Sequence, residues 1–346
     1  MKFLAKMVYP AALATLVLSS CGKMSKVSVQ MLEPGGITLP ANVKTIALVD
    51  RSLSPNPMKH MTGAITGESL MQERHGAQQT LSGLSSILGS SPRLQAKLTN
   101  TLLMGSLVDG VFPEPLDTAT VSRICREYDA DAVVALEDYN TQCVITTSEK
   151  HVNTTVNGVT TPTTQYYATQ TATIKLGFRI YDRVNNTIGD QYFFSSSNYW
   201  TTDPCTTAPM AKANIVSAPS ALNQASYNAG VTYGRRIAPT FTAVQRKYFK
   251  KGNKEMEEAG LKASAGDWKG AADLWQKIAA EENVELAGLA TFNLAVASEM
   301  NGDLGHAEQF CDKAYSTYNI KNAKKYSVVL NQRLLEAQKL QQHTGQ

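Results

Sequence analysis

Apolar side chains recur along this chain in two rhythms, one in its first two thirds and another in its last third. Val43-Lys44-Thr45-Ile46-Ala47-Leu48-Val49-Asp50 is continuously apolar at its centre, which predicts a strand covered on both faces. Leu70, Ala77, Leu81, Leu84 and Leu88 recur at three- and four-residue steps and predict a helix from Gly67 to Ser90-Ser91-Pro92. Residues 93–99 admit two readings. Leu94, Ala96 and Leu98 alternate as in a strand, while Leu94, Leu98 and Leu102 suit a helix; the strand is preferred because it completes a β-α-β unit. Asp117 is placed to cap a helix running to Tyr128, with Val121, Ile124, Cys125 and Tyr128 on one face. Ala132 to Glu137 reads as a second buried strand. Asn157-Gly158 marks a hairpin tip inside a Thr-rich stretch over 146–164. Two alternating runs follow, Tyr166 to Asp182 and Thr187 to Trp200, joined by a turn at Arg183-Val184-Asn185-Asn186. Breakers assign residues 21–40 to a tether (Pro34-Gly35-Gly36, Pro40), and 51–66 and Gly105 to Pro115 to loops. This order predicts an α/β sheet domain over 41–205 with helices packed on one face.

The second rhythm is helical throughout. Leu222, Ala225, Ala229, Tyr233 and Ile237 form a stripe that Pro239 ends. Residues 206–252 are read as a helical connector, and Arg246-Lys247-Tyr248-Phe249-Lys250-Lys251 as the solvated face of one of its helices. Then Gly266-Asp267-Trp268-Lys269-Gly270-Ala271-Ala272 returns thirty-six residues later as Gly302-Asp303-Leu304-Gly305-His306-Ala307-Glu308. This is similar to the tetratricopeptide repeat, whose period is about 34. The resemblance implies a Gly-Asp turn between paired helices, close contact at Ala271 and Ala307, and inward-facing Trp268 and Leu304, Trp275 and Cys311, and Ile278 and Ala314. Glu258 and Ala259 depart from the family's Leu-Gly, whereas Leu294 and Ala295 approach it. The fold class expected is therefore α+β/α-β: a sheet domain, tetratricopeptide-like repeats over 253–320, and a capping helix and tail over 321–346.

The N-terminus carries the most specific signal. Lys2 and Lys6 precede an apolar run from Met7 to Leu18, which is shorter than the roughly 20 residues a spanning helix needs. It ends in Leu18-Ser19-Ser20-Cys21, which resembles the lipobox of bacterial lipoproteins. The resemblance implies a signal peptide over 1–20, cleavage before Cys21, and acylation of its thiol and new amine. Several acyl chains, each CH₂ worth about 0.8 kcal/mol, make a durable anchor where one chain is marginal. No acid follows in Gly22-Lys23-Met24-Ser25-Lys26, which favours the periplasmic face of an outer membrane over the cell surface. Gly67-Glu68 through Gly76-Ala77-Gln78, Phe112-Pro113-Glu114-Pro115-Leu116 and Arg235-Arg236-Ile237-Ala238-Pro239, together with the first Gly-Asp turn, resemble an uncharacterised Bacteroidota-type envelope lipoprotein family, DUF6340-like. That family implies a layout and no activity.

Composition narrows the chemistry. Formal charge is +4, halved when Lys2 and Lys6 leave, and no long basic block provides a footprint for nucleic acid. His60, His75, His151, His306 and His343 are scattered without ligand spacing, so no metal site and no cofactor is expected. There is no G-x-S-x-G, Walker-type loop or G-x-G-x-x-G. Of four further cysteines none forms a CxxC pair; Cys125 and Cys311 read as small core residues, and Cys143 and Cys205 as a pair that an oxidising compartment would let bond. Asp50, Glu137 and Asp138 stand at the ends of the two buried strands. They read either as a polar or cation-binding edge or as ordinary loop capping. Tyr166-Tyr167, Tyr192-Phe193-Phe194 and Tyr199-Trp200 read as cross-strand packing ahead of ligand stacking. The expected function is a non-enzymatic, lipid-anchored interaction module, with a protein or peptide partner on the repeats and a membrane held through Cys21. The alternative is a small-ligand-binding or hydrolytic protein that uses the strand-end acids.

Overall fold

The computed structural model describes residues 24–344 apart from 54–66, 107, 109, 185 and 186. The signal segment, Cys21, most of the expected 51–66 loop and half of the 183–186 turn lie outside the described residues. In chain order the elements are β1 (Met24–Glu33), β2 (Thr45–Leu53), α1 (Gly67–Ser90), β3 (Gln95–Met104), α2 (Thr118–Glu127), β4 (Ala132–Val156), β5 (Val159–Asp182), β6 (Thr187–Thr201), α3 (Ala208–Asn214), α4 (Ala218–Ile237) and β7 (Thr240–Phe249). Five helices follow: α5 (Lys254–Ser264), α6 (Trp268–Ile278), α7 (Val284–Met300), α8 (Leu304–Ser316) and α9 (Lys321–Thr344). Among the described residues no helix is long and apolar enough to cross a membrane.

The chain divides into two units, residues 30–242 with 335–346, and residues 1–29 with 243–334. The first holds a five-stranded sheet in the order β3-β2-β4-β5-β6. β3 and β4 both lie parallel to β2, and β4, β5 and β6 are antiparallel. Alternation along β2 and β4 sends side chains to two cores. Ile46, Leu48, Val134 and Leu136 pack with Ala77, Leu84 and Leu88 of α1 and with Ala225, Ala229 and Tyr233 of α4. Ala47, Val49, Val133 and Ala135 pack on the opposite face with Val121, Ile124 and Cys125 of α2. The expectation of helices on one face is thus corrected. β2 and β4 are apolar on both parities because both faces are covered, and α2 carries a full apolar stripe of its own.

Two further expectations change. The tether over 21–40 contains β1, which pairs with β7 in a separate two-stranded sheet. Ser25, Val27, Val29 and Met31 alternate with exposed Lys26, Ser28 and Gln30, a period-2 rhythm masked by the glycines and prolines that follow. The connector over 206–252 is not helical throughout either. After Pro239 the run Thr240 to Phe249 alternates exposed and half-buried positions between buried ends as β7, and the basic run from Arg246 begins on that strand. Its cations at i, i+1, i+4 and i+5 (Arg246, Lys247, Lys250, Lys251) have the spacing of one solvated helix face, which is why the run reads as helical.

In the helical unit the two turns are alike. Gly266 and Gly302 sit at φ 86° and 81°, a left-handed conformation that glycine adopts without steric cost. The next residues cap the following helices: Asp267 Oδ1 accepts from the Gly270 amide at 2.9 Å, and Asp303 Oδ1 from the His306 amide at 3.0 Å. Ala271, Trp275 and Ile278 of α6, and Ala307, Cys311 and Ala314 of α8, are fully buried in one core.

Candidate functional site

The strand-end acids prove to be separated by the sheet. Asp50 shares the parity of Ile46 and Leu48 and faces the α1–α4 side. There it accepts from the Ser52 amide at 3.0 Å and the Ser52 hydroxyl at 2.7 Å. Between β4 and β5, Leu136 pairs with Phe178 but Asp138 pairs with Gly177, so one residue is inserted. This bulge turns Glu137 and Asp138 toward the same side, the α2 face. The three acids therefore do not converge.

Glu137 is fully buried. Its carboxylate lies 3.0 Å from Arg51 and 3.5 Å from Arg179, and accepts the Tyr181 hydroxyl at 2.5 Å. Burial pushes the Glu137 carboxyl above the ordinary carboxylate range, and Tyr181 and the two guanidiniums pull it back only in part. Tyr181 is likewise pushed up, by burial first and by Glu137 second. A segment over 110–116 is strapped to this cluster. Arg179 donates to the Pro113 carbonyl at 2.5 Å, the Leu116 amide donates to the Tyr181 hydroxyl at 3.2 Å, and the Gly110 amide donates to Asp138 at 3.3 Å. The Phe112 ring on this strap lies 4.0 Å from that of Phe193 of β6, tilted 39° to it, and beneath Arg179. The buried ions thus hold a loop in place and are turned toward one another, away from solvent.

Beside the strap the same face opens into a cleft of about 470 Å³. Cross-strand register places Asn140 beside Lys175 and Lys175 beside Ser195, with Asp138, Gly177 and Phe193 one step along. Gly177 is what lets the Phe193 ring lie on the sheet: a Cβ there would meet Cε1 of that ring at 2.4 Å. The cleft presents a carboxylate, an amide, an ammonium, a hydroxyl and one aromatic face, a set suited to binding a small polar ligand. Sequence reading found Glu137 and Asp138 but missed Arg51, Arg179, Tyr181, Lys175 and Phe112. One signal was present. Arg179 interrupts the apolar run Phe178-Arg179-Ile180-Tyr181 just as Glu137 interrupts the one before it, and opposite charges in facing buried strands pair.

The cysteines do not pair. Cys143 lies opposite Ala172 on β5 and Cys205 opposite Tyr166. Six residues of strand, about 20 Å, separate those positions, against a Cα separation of at most about 7 Å for a disulfide. Both are free thiols, each with other neighbours: Cys143 accepts from Gln170, and Cys205 from Asn214. Among the described residues no group of three or more His, Cys, Asp or Glu side chains stands close enough to hold a metal ion.

A mixed sheet with helices on both faces, continued by a helical unit, is the class of protein these elements define. Over residues 43–249, more than half of its length, the chain matches the domain of unknown function DUF8603 and belongs to that family. Residues 257–333 match a second domain of unknown function, DUF6340. No curated protein matches the sequence. Among solved structures the chain is similar to a putative neuraminyllactose-binding hemagglutinin homolog from Helicobacter pylori, at 11% identity and TM-score 0.28, covering 59% of this chain and 90% of that one. It is also similar to the PelC dodecamer from Paraburkholderia phytofirmans, at 10% identity and TM-score 0.24, covering 62% and 99%.

Proposed function

We propose that this chain is a lipid-anchored protein of a bacterial cell envelope, outer-membrane-bound and facing the periplasm. Its helical unit acts as a tetratricopeptide-like module that binds a protein or peptide segment, and it catalyses no reaction. The observation that carries the reading is Leu18-Ser19-Ser20-Cys21 at the end of a short apolar run behind two lysines. The paired Gly-Asp turns with buried Ala271 and Ala307 support the repeat reading, since stacked helix pairs present a continuous surface to a partner. Occupation of Glu137 by Arg51, Arg179 and Tyr181 supports a structural rather than a catalytic use of that carboxylate. The test is metabolic labelling with a fatty-acid analogue in wild type and Cys21→Ala. Label and membrane partition in the wild type, both lost in the variant, support the anchor; an unlabelled, soluble wild type removes it.

A second reading is favoured by the cleft at Asp138, Lys175 and Phe193: a small ligand bearing hydroxyl or amino groups, bound without chemistry. Thermal shift with a panel of sugars, polyols and amino acids at millimolar concentration tests it. A stabilising ligand whose effect disappears in Lys175→Ala supports this reading, and a panel that leaves the melting point unchanged removes it.

A further inference from the structure

A second cleft, of about 290 Å³, lies within the helical unit. Its apolar lining comes from Met24, Phe292 and Val329, and its polar rim includes Arg246, Lys247 and Lys325. None of the lining residues is acidic. The carboxylate bound to the lining residue Arg246 is the buried Glu299, which accepts two 2.7 Å hydrogen bonds from it, so that pair cancels its own charge. Lys247 and Lys325 are exposed, as are Lys26 on β1 and Lys321 and Lys324 on α9. The face is therefore cationic around an apolar centre.

Its place in the chain adds a covalent constraint. Cys21 precedes Met24 by three peptide links, so its Cα lies within about 11 Å of the Met24 Cα whatever the conformation between them. That distance is close to one Debye length at physiological salt, the range over which a charged membrane attracts lysines. Resting on the lipid-anchor reading above, we infer that this Met24-centred face lies on the membrane and binds anionic phospholipid. The headgroup phosphate meets Lys247 and Lys325, and the upper acyl region meets the partly exposed Met24 and Val329 above the buried Phe292. The acylated cysteine then supplies the anchor, and the cleft fixes which face of the helical unit meets the bilayer.

The test uses the chain without residues 1–20 and with Cys21→Ser, which keeps every described residue and carries no lipid. Co-sedimentation is measured with vesicles of phosphatidylcholine alone and with phosphatidylcholine containing phosphatidylglycerol. Binding only to the anionic vesicles is expected, weakening with salt, and falling on the order of fivefold per lysine removed in Lys247→Gln and Lys247→Gln/Lys325→Gln. Both lysines are exposed, so the variants should keep the wild-type circular dichroism and melting point. Equal binding to neutral and anionic vesicles overturns the inference. So does a double variant that binds like wild type, or binding of a soluble poly-glutamate peptide in preference to vesicles. Because no acyl chain is present, failure here leaves the Cys21 labelling result untouched, and loss of that label leaves this result untouched.

Discussion

Replacing Gly230 by alanine should destabilise the sheet unit, although alanine is the better helix former. A Cβ at Gly230 in α4 would stand 1.9 Å from the Thr80 carbonyl oxygen, 2.8 Å from its carbon and 2.9 Å from the Leu84 nitrogen. All three are backbone atoms of α1, so no side chain can swing away. Gly83 of α1 meets the Tyr227 carbonyl in the same manner, with a Cβ placed at 2.1 Å. Ordinary contact begins at 3.4 Å, so the two helices must part by roughly an ångström or more. A gap of about that size forfeits a quarter to a half of the dispersion energy of each contact it opens. Overpacking of this kind costs about 1–3 kcal/mol, and rigid backbone neighbours put it at the upper end. Helix propensity returns about 1 kcal/mol. The expected net loss is about 2 kcal/mol, which lowers the melting point of a unit of this size by about 4–8 °C. Thermal circular dichroism of Gly230→Ala measures it, with Gly305→Ala in α8 of the helical unit as a comparison at an uncrowded helical glycine. A Cβ at Gly305 meets nothing nearer than Asp303 Oδ1 at 3.8 Å, so that change should stabilise by about 0.4–1 kcal/mol. A Gly230→Ala protein that melts at or above wild type would refute the close α1–α4 contact.

Arg246→Leu should cost about 3–5 kcal/mol, because it strips a buried carboxylate of its bidentate partner; the denaturant midpoint of the helical unit should fall with the slope unchanged. Burial pushes the Cys125 thiol up to about 11 and the Cys311 thiol up to about 12, so neither should react with iodoacetamide in the native protein at pH 8, and both should react once it is unfolded. Mass spectrometry of alkylated peptides reads this, and native labelling of Cys311 would count against the buried α8 face. Glu137 has a folded pKa raised above its unfolded value near 4.3, so its contribution to stability is complete below the unfolded value and is lost as pH rises through the folded one. Relative to Glu137→Gln, the wild type should therefore gain stability as pH falls from neutral toward the unfolded value; parallel profiles for the two proteins would show that Glu137 titrates alike in both states.

Much of the sheet unit was legible in the sequence because its signals are local. The apolar centre of β2, the Asp117 cap of α2 and the Asn157-Gly158 tip each state their element within a few residues, and the capping bond from Asp117 to the Thr120 amide is present at 2.9 Å. Residues 93–99 resolved as strand because β3 pairs along β2 from Gln95. Elements whose reasons are distant were missed. β1 and β7 exist as partners of each other, and neither announces itself against the glycines near one and the prolyl helix end before the other. Asp50 and Glu137 looked alike at two strand ends, yet side-chain parity places them on opposite faces. The inserted residue that brings Asp138 round to join Glu137 is a property of the pairing with β5, and no window of β4 alone contains it.

The pairing of β1 with β7 bears on when the chain can finish folding. Thr242 of β7 donates to Glu33 of β1 across 209 positions of sequence. The first strand of the body thus has no mate until more than two hundred further residues have been made, roughly ten to forty seconds at ordinary rates of synthesis. Through that interval the ladder groups that β1 gives to β7 have no strand partner, so this small sheet is among the last parts of the body that can close.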